Sequence, residues 1–497
     1  MTGPVERERL VVVATLAAVA MAVSSWWIGA VSVTSRPHRF APVRWLPWHG
    51  DPAHLTFYLG LTAFTLAWLR LGRRVLDAHV SATPALLRRF VLCSAVPFLF
   101  AAPLGRDLWA YAAQGHLTGT GLDPYSHGPI DAPGAFTDEV SARWLGSSAP
   151  YGPLWLRLSQ LAAWAAHGHP EIAAMLLRLP EFAALLGCLW ALRVLAERLN
   201  GRLGPALWLG VASPLTIVLG VGGGHNDLLM IAVALAGLGL ATGPGLRALA
   251  IGAAVAGIAV MIKSPAVIVV AFTVPVWLHA NAEPRSARRV LSACGAAIGG
   301  SAVAVGLITT VSGLGIGWTR QVNSDAQWVS WLSLPSAAAM IGKAVSGSGH
   351  VRELDDAMRA SRTVGELLAI VLLVALWFLA LRRAPLGSLA SALGAAALLA
   401  PSVQPWYYAW SLAVIGLVSL GRRASIVLAA VTVMFPAMIA PSGLGAESDW
   451  RAPLIALGSL AVTAIALRRT GSTADDDGAD HPGAEVRADH RAELGHV

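Results

Sequence analysis

The sequence predicts an all-α protein that crosses a membrane many times, and three observations support this fold class. Of the 497 residues, 56% are hydrophobic and only 13% are charged, and the mean hydropathy is +0.61. Soluble proteins carry about 25% charged residues, so roughly half of the usual charge is missing. Apolar runs close to the ~20 residues that cross a bilayer as a helix recur along the chain. Short clusters of arginine separate these runs.

The apolar runs define about 14 predicted membrane spans if lengths of ~17–25 residues are accepted together with a few shorter runs. They lie at 10–34, 54–72, 90–104, 171–194, 205–221, 228–242, 246–262, 265–281, 290–312, 363–381, 388–401, 406–420, 424–441 and 452–468. The first run is too long for the core of a signal peptide and leads into further spans, so we interpret it as a membrane helix. The run at 153–167 is short and is interrupted by Arg157 and Gln160. We expect an interfacial helix there, lying against the bilayer.

The basic residues predict the orientation of the spans, because cytoplasmic loops are enriched in Lys and Arg. Two of the 36 basic residues are lysines, and the arginine clusters lie at 70–89, 193–202, 285–289, 382–383, 422–423 and 468–469. With a cytoplasmic N-terminus these clusters all fall inside, provided that 153–167 is not a span. Only the cluster at 36–44 departs from the rule. The net charge of +8 therefore indicates membrane orientation and not a nucleic-acid partner.

This topology predicts a membrane domain over residues 1–470 and a short tail. Residues 471–497 are acidic and nearly free of large apolar side chains, which predicts a disordered cytoplasmic tail. The outer face of the membrane receives two long loops, at 105–170 and 313–362. The three cysteines all lie in apolar runs without paired spacing, so no disulfide or metal framework is expected.

The most informative segment for chemistry follows the third span, at 105–129, and reads GRDLWAYAAQGHLTGTGLDPYSHGP. Asp107 lies near the mouth of that span, where an acceptor hydroxyl and a lipid phosphate could meet. Transfer of a sugar from a lipid phosphate needs a base for the acceptor hydroxyl. One carboxylate suffices for an inverting reaction, because phosphate is already a good leaving group. The alternative is a helix-end charge paired with Arg106.

Three cations are candidates to bind the phosphate of such a donor: Arg106, Arg178 and Lys263. Lys263 falls at the outer end of a span, and Arg178 falls inside the span 171–194. Ionisable groups at such depths usually serve function, and either could neutralise a phosphate leaving group. The alternatives are snorkelling of Lys263 to the interface and a local ion pair between Arg178 and Glu181.

Aromatic and hydrogen-bonding side chains on the predicted outer face are candidates for sugar and acceptor contacts. They are Trp109, Tyr111, Gln114, Asp123, Tyr125, Tyr151, His225, Asn226, Asp227, Trp331, Gln404, Trp406 and Tyr407. The three residues His225, Asn226 and Asp227 follow three glycines, which let a backbone approach a ligand closely. They could hold a hydroxyl, a phosphate or a metal ion, or they could cap a helix. A single His with an Asp is a weak metal signal, and the aromatic residues could equally form an interfacial belt.

Six segments of the chain, taken in order, carry a resemblance to a known family. They are GRDLWAYAAQGHLTGTGLDPYSHGP at 105–129, APYGPLW at 149–155, SPLTIVLGVGGGHNDLLM at 213–230, IKSPA at 262–266, GIGWTRQVNSDAQWVSWLSLP at 315–335 and QPWYYAW at 404–410. Together they resemble the actinobacterial polyprenol-phosphomannose-dependent α-1,6-mannosyltransferases of the MptA/MptB type. The similarity extends from about residue 40 to residue 468.

The resemblance implies the GT-C glycosyltransferase fold and an inverting enzyme at the plasma membrane. Its donor would be polyprenyl-phosphate-mannose on the extracytoplasmic face, and its acceptor an α-1,6-mannan such as the backbone of lipomannan and lipoarabinomannan. The resemblance assigns the general base to Asp107, which occupies the acid position of the family's RD-aromatic motif. Trp109 stands where the family has Tyr, and His116 stands where another residue is common. These departures leave the acceptor and the exact sugar open.

Two other functions remain compatible with the residues alone. One is transfer of a different polyprenyl-linked sugar, such as arabinose. The other is a lipid-sugar flippase or secondary transporter, although transporters place polar residues near the membrane midplane, often with repeats. Here the polar groups gather at one face. No cofactor is firmly expected, and a requirement for a divalent cation stays open. The expected partners are the lipid-linked donor, a glycolipid acceptor and membrane lipids.

Overall fold

The described chain folds into α-helices joined by short 3-10 and π-helical turns, and its described residues contain no β-strand. The computed structural model describes residues 4–30, 51–77, 83–321, 329–347, 354–439 and 451–468. The all-α prediction is therefore confirmed for these residues. The arginine cluster at 36–44 and the predicted tail lie outside them. Contacts divide the chain into two units, Met1–Leu467 and Arg468–Val497.

The described α-helices in the first half of the chain include two, Asp107–Gly119 and Pro153–Ala165, that lie within the predicted outer loop 105–170. They are α1 (Pro4–Ile28), α2 (Asp51–Leu76), α3 (Thr83–Ala95), α4 (Asp107–Gly119), α5 (Pro153–Ala165), α6 (Pro170–Leu176), α7 (Arg178–Arg198) and α8 (Leu203–Ala206). Two π-helical segments, Leu207–Val211 and Leu215–Gly222, connect α8 to the rest of the chain.

The remaining described α-helices follow the second π-helical segment. They are α9 (Asp227–Ala241), α10 (Gly245–Val260), α11 (Val267–Ala280), α12 (Ala287–Ser312), α13 (Leu334–Ser346), α14 (Asp356–Arg382), α15 (Pro385–Leu399), α16 (Ala409–Ile415), α17 (Arg422–Ile439) and α18 (Arg451–Ala466).

Six segments of the described chain are long and apolar enough to cross a membrane. They are Glu8–Ile28, Asp51–Leu76, Pro170–Arg198, Ala287–Ser312, Asp356–Arg382 and Arg422–Ile439, and the two π-helical segments with α8, bent by 47°, make a seventh if they count as one span. The predicted count of 14 is therefore not confirmed. The helices α9, α10 and α15 have only 15 or 16 residues. They cover about 22–24 Å of a hydrocarbon core that is about 30 Å thick.

Two of the long helices turn most of their apolar side chains outward. In the most apolar 18-residue stretch of each helix, only 17% of the residues of α12 and 11% of those of α14 are buried within the protein. Exposing so much apolar surface to water would be unfavourable, because the largest apolar patch on a typical soluble monomer is a few hundred Å². These two helices are therefore suited to a lipid environment.

A pair of buried tryptophans fixes α2 against the first π-helical segment. The rings of Trp68 and Trp208 stack with their centroids 4.9 Å apart. Each indole N–H donates to the other residue's carbonyl oxygen, at 2.9 and 3.1 Å. Gly72 makes room for this pair, since a Cβ there would lie 2.3 Å from the Trp208 ring. Buried indoles need such partners, and here each provides one for the other.

The predicted outer loop 105–170 contains two helices instead of the one expected. The segment before it leaves α3 through a 3-10 turn, Val96–Phe100, and Asp107 then begins α4. The sequence pattern did not indicate α4, because side chains on nearly all of its sides are buried and no apolar stripe stands out. The expected interfacial helix is α5. Its position relative to a bilayer remains a prediction.

The helices α4 and α5 lie side by side and run in the same direction. Tyr111 packs edge-on against Trp155, with the ring centroids 5.1 Å apart. One turn further along, a Cβ on Gly115 would lie 2.2 Å from the backbone of Ser159, so only glycine permits this close approach. Both helices therefore start near the candidate site described next and lead away from it together.

Candidate active site

A polar cavity of about 270 Å³ brings together most of the segments that the sequence marks as chemically active. Its walls come from residues 104–107, 141–144, 329–332 and 403–407, and from single side chains on other elements. These segments are far apart in the chain. The cavity is therefore a product of the fold, and the ends of several helices build it jointly.

The centre of the cavity wall is a carboxylate–imidazole pair. Oδ2 of Asp107 lies 3.1 Å from Nδ1 of His225, and the two side chains are 21% and 2% exposed. A carboxylate only accepts hydrogen bonds, so the imidazole donates through Nδ1. The imidazole also stacks on Trp406, with the ring centroids 3.4 Å apart. Among the described residues, Oδ1 of Asp107 has no hydrogen-bond partner, so one carboxylate oxygen is held and the other is left for a ligand.

The glycines before His225 bring two chain segments into contact, and this places the imidazole. Gly224 has φ +67°, and a Cβ there would lie 2.6 Å from the Leu108 side chain in the first turn of α4. The carbonyl oxygen of Gly222 accepts from the Leu104 amide at 3.2 Å. We expected these glycines to admit a ligand. They instead let the end of the second π-helical segment approach the start of α4.

Lys263 lines the cavity and is already paired. Its Nζ lies 2.9 and 2.7 Å from the two carboxylate oxygens of Asp227. The two side chains are 11% and 3% exposed. The Trp410 indole also donates to Asp227, at 2.8 Å, and Nζ lies 4.6 Å from the centre of the Tyr407 ring. Asp227 was predicted to contact sugar, but its oxygens are occupied by protein donors and it does not line the cavity. Its role here is to hold Lys263.

Tyr111 and Asn226 form a buried layer behind the cavity and do not line it. The Tyr111 hydroxyl lies 3.5 Å from Oδ1 of Asn226, and the ring packs against Tyr151 with centroids 5.2 Å apart. Burial raises the pKa of the Tyr111 phenol well above its usual range, and the charges of Tyr151, Asp107 and Asp227 act in the same direction. The phenol therefore stays protonated. Both residues, predicted as sugar contacts, support the site from behind.

Two guanidinium groups face the cavity. Arg106 lines it, and its side chain has no hydrogen-bond or ion-pair partner among the residues that the structure describes. Arg143 lines it as well, and its guanidinium lies 5.3 Å from the centre of the Trp144 ring. Sequence reasoning missed Arg143 and Trp144, because their segment has no periodicity. The only available signal was a basic residue next to an aromatic one inside the predicted outer loop.

Arg178 does not belong to the cavity, contrary to the prediction that it binds phosphate. Its side chain is fully buried and donates to the carbonyl oxygens of Ala101 and Gly222. These carbonyls lie where regular helices end and lack helical partners. The alternative ion pair with Glu181 is also absent, since Glu181 accepts from the Leu229 amide at 3.2 Å. Arg178 thus ties together the two segments that carry Asp107 and His225.

Besides His225, five of the predicted sugar contacts line the cavity together. They are Tyr151, Trp331, Gln404, Trp406 and Tyr407. The indole N–H of Trp331 is buried and has no hydrogen-bond partner in the described part of the chain. A buried donor without a partner is unfavourable.

Four other predicted sugar contacts lie away from the cavity and stabilise the surrounding structure. Trp109 is buried, and its indole donates to the Ala30 carbonyl at 2.9 Å. Gln114 is buried inside α4. The Asp123 carboxylate accepts from the Tyr125 amide at 3.0 Å, which closes a turn. The Tyr125 ring is buried, and a Cβ on Gly317 would lie 2.6 Å from it.

No group of three or more His, Cys, Asp or Glu side chains in the described ranges could hold a metal ion. Part of the second predicted outer loop, at 322–328 and 348–353, lies outside the described residues. The candidate site is therefore built from one carboxylate–imidazole pair, three cations and a wall of aromatic rings.

These features define an all-helical protein with several helices suited to a membrane and one cavity rich in cations and aromatic rings. The chain belongs to the α-(1→6)-mannopyranosyltransferase family. Residues 11–279 match the family described as "Alpha-(1->6)-mannopyranosyltransferase, N-terminal domain", and residues 335–469 match "MptB C-terminal domain". The family resemblance carried by the six sequence segments is confirmed.

Individual relatives are similar over most of their length. Alpha-(1->6)-mannopyranosyltransferase A of Mycobacterium tuberculosis is 32% identical over 407 residues, which cover 80% of this chain and 77% of the relative. The protein of the same name from Corynebacterium glutamicum is 29% identical over 73% of this chain and 78% of the relative. Alpha-(1->6)-mannopyranosyltransferase B of Corynebacterium glutamicum is 24% identical over 87% of this chain and 76% of the relative. No solved structure matches the chain.

Proposed function

We propose that this protein transfers mannose from polyprenyl-phosphate-mannose to the non-reducing end of an α-1,6-mannan chain, with inversion at the anomeric carbon. The observation that carries the proposal is the second oxygen of Asp107, which has no partner among the described residues and lies in a cavity wall with Arg106 and Lys263. Membership of the α-(1→6)-mannopyranosyltransferase family supports the choice of mannose and of the linkage.

Asp107 acts as the general base in this reaction. Oδ1 takes the proton of the acceptor hydroxyl while the hydroxyl oxygen forms a bond to the anomeric carbon of the donor. The bond from that carbon to the phosphate oxygen breaks, and its electron pair leaves with the phosphate. His225 holds Oδ2 at 3.1 Å and so fixes the direction in which Oδ1 points. No second protein acid is needed, because the leaving phosphate is a weak base.

The cations compensate the charge that the phosphate gains. The donor phosphodiester carries one negative charge, and the released phosphate monoester carries ≈ −1.5 to −2 at pH 7. Two cavity-lining guanidinium groups, Arg106 and Arg143, can meet this growing charge. Lys263 adds less, since the Asp227 carboxylate already offsets its ammonium.

The aromatic wall binds the sugars. Trp331, Trp406 and Tyr407 present flat apolar rings to the cavity, and the Gln404 side chain lies in the same wall. Flat rings beside hydrogen-bonding groups suit the faces and hydroxyls of a hexose.

The proposed location is the plasma membrane, with both termini in the cytoplasm and the cavity on the extracytoplasmic side. The arginine clusters support this orientation through the positive-inside rule. We propose the GT-C fold with the shorter apolar helices completing the set of membrane segments. Residues 1–470 would form this domain, and 471–497 a cytoplasmic tail.

The test is mannosyl transfer by the purified protein in detergent and in liposomes. Polyprenyl-phosphate-mannose, polyprenyl-phosphate-arabinose and GDP-mannose are offered in turn to short α-1,6-mannosides, with and without a chelator. The proposal predicts transfer from the first donor alone, with an α-1,6 linkage in the product by NMR. Transfer from the arabinose donor in place of the mannose donor would show that the transferred sugar is arabinose. Movement of lipid-linked sugar across liposomes without any transfer would overturn the proposal in favour of a flippase.

A further inference from the structure

A second cleft, of about 450 Å³, lies at the far ends of α4 and α5. Its lining includes His116, Gly119, Thr120, Arg157, Gln160 and Trp164, beside the apolar Leu161. None of the roles proposed above uses this cleft. It shares α4 with the candidate active site, since Asp107 is the first residue of that helix and Gly119 is the last. At 1.5 Å per residue the two ends are about 18 Å apart.

The cleft presents one large ring and two hydrogen-bonding groups that the protein leaves available. The Trp164 side chain is 70% exposed. The Arg157 guanidinium donates to Oε1 of Gln160 and so leaves Nε2 of that amide without a partner among the described residues. The His116 ring is fixed by stacking on Phe136, and its nitrogens have no hydrogen-bond partner there either.

The charges around the cleft favour a neutral ligand. No carboxylate lines it, so it does not attract a cation. Two helices end at it, α4 at Gly119 and α5 at Ala165, and helix C-termini carry a partial negative charge that disfavours an anion. The single guanidinium, on Arg157, is already engaged by the Ser312 carbonyl and by Gln160. A hydroxyl-rich neutral molecule fits this environment.

We propose that this cleft is a distal subsite that binds the growing α-mannan acceptor several sugar units behind the reacting end. The inference rests on the proposed function, because it takes the acceptor to be a neutral α-mannan. The Trp164 ring stacks on one sugar face, while Gln160 and His116 bind hydroxyls. Long acceptors then bridge the distance of about 18 Å between the Asp107 carboxylate and the cleft. Short acceptors occupy the active site alone.

The test compares acceptor lengths. α-1,6-mannosides from the disaccharide to the octasaccharide are offered to the wild type, to Trp164→Ala and to Gly119→Leu, which fills the cleft. Trp190→Ala is the matched control, since Trp190 is 45% exposed on α7 and lines neither site. We expect both cleft variants to raise KM about 5- to 10-fold for the long acceptors, with kcat and short-acceptor kinetics unchanged. Trp164→Tyr, which keeps a ring, should restore most of the affinity.

Three outcomes would overturn the subsite. An equal loss at every acceptor length would show a structural role for Trp164. Unchanged kinetics at every length would leave Trp164 as a bilayer contact, in line with the neighbouring exposed Leu161. A wild type whose KM does not fall with acceptor length would exclude a distal contact. Failure of the wild type to transfer mannose to any acceptor would instead contradict the proposed function, so the two failures are distinguishable.

Discussion

The imidazole of His225 lies 3.1 Å from the carboxylate of Asp107, although 118 residues separate them in the chain. The contact joins the first residue of α4 to the turn after the second π-helical segment. It leaves one oxygen of Asp107 for a ligand and fixes the other. The pair therefore links the proposed base, at the start of α4, to the end of the second π-helical segment. The glycines at 222–224 allow these two segments to approach each other.

Removing the imidazole N–H while keeping a flat ring should impair the chemical step. We expect His225→Phe to lower kcat about 10- to 100-fold, because the stacking on Trp406 can persist while the carboxylate loses the donor that orients it. The acceptor KM should change little. His169→Ala, at a His side chain that is 62% exposed, is the control. A His225→Phe enzyme with wild-type kcat would show that Asp107 does not need this partner.

The buried Lys263–Asp227 pair should behave as a unit in stability measurements. Lys263→Met or Asp227→Asn alone leaves an uncompensated buried group, and we expect each to lower the free energy of unfolding by about 3–5 kcal/mol. The double variant should recover much of that loss but not the activity. The exposed pair Arg193–Glu197, with side chains 58% and 59% exposed, is the control and should contribute little to stability, because solvent screens it. Simple additivity of the two single losses would contradict this interpretation of the pair.

Loss of either cavity guanidinium should weaken binding of the lipid phosphate. We expect Arg106→Gln and Arg143→Gln each to raise the donor KM about tenfold or more, since a hydrogen bond to a charged group contributes about 1.5–3 kcal/mol. Inhibition by the released polyprenyl phosphate should weaken in the same variants. Arg193→Gln on the surface of α7 serves as the control. A donor KM that stays at the wild-type value in both variants would remove these residues from phosphate binding.

Substitutions at Gly224 and Gly121 distinguish the effect of backbone strain from the effect of steric contact. Both have positive φ, +67° and +88°, but a Cβ on Gly224 would meet Leu108 at 2.6 Å and one on Gly121 would meet nothing within 4 Å. We expect Gly121→Ala to destabilise by about 1–2 kcal/mol and to retain full kcat. Gly224→Ala should destabilise more and also lower kcat, because it displaces His225. Equal behaviour of the two variants in thermal unfolding and in kcat would contradict the proposed role of Gly224.

The composition, together with the polar residues at the ends of the apolar runs, was enough to predict much of the site. Asp107, Lys263, His225 and the segment 404–407 follow or precede apolar runs on the same predicted face, and the structure brings them to one cavity. Such clustering is predictable because each end of a membrane-spanning helix lies at one of the two membrane surfaces.

Side-chain pairing was not predictable, because it depends on contacts between distant segments. Asp227 and Arg178 both appeared available for a ligand in the sequence. One is occupied by Lys263 and Trp410, and the other by backbone carbonyls at broken helix ends. The span count also depended on such detail, since a run of apolar residues does not reveal where a helix stops short of ~20 residues.

The central claim is that Asp107 is the general base, and single-turnover transfer tests it most directly. Purified Asp107→Asn and Asp138→Asn proteins are saturated with polyprenyl-phosphate-mannose and mixed with a short α-1,6-mannoside. Asp138 is an exposed carboxylate in the same predicted loop that does not line the cavity. We expect a transfer rate lowered about 10²- to 10⁴-fold for Asp107→Asn, with donor binding unchanged, and a wild-type rate for Asp138→Asn. Transfer by Asp107→Asn at the wild-type rate would contradict it.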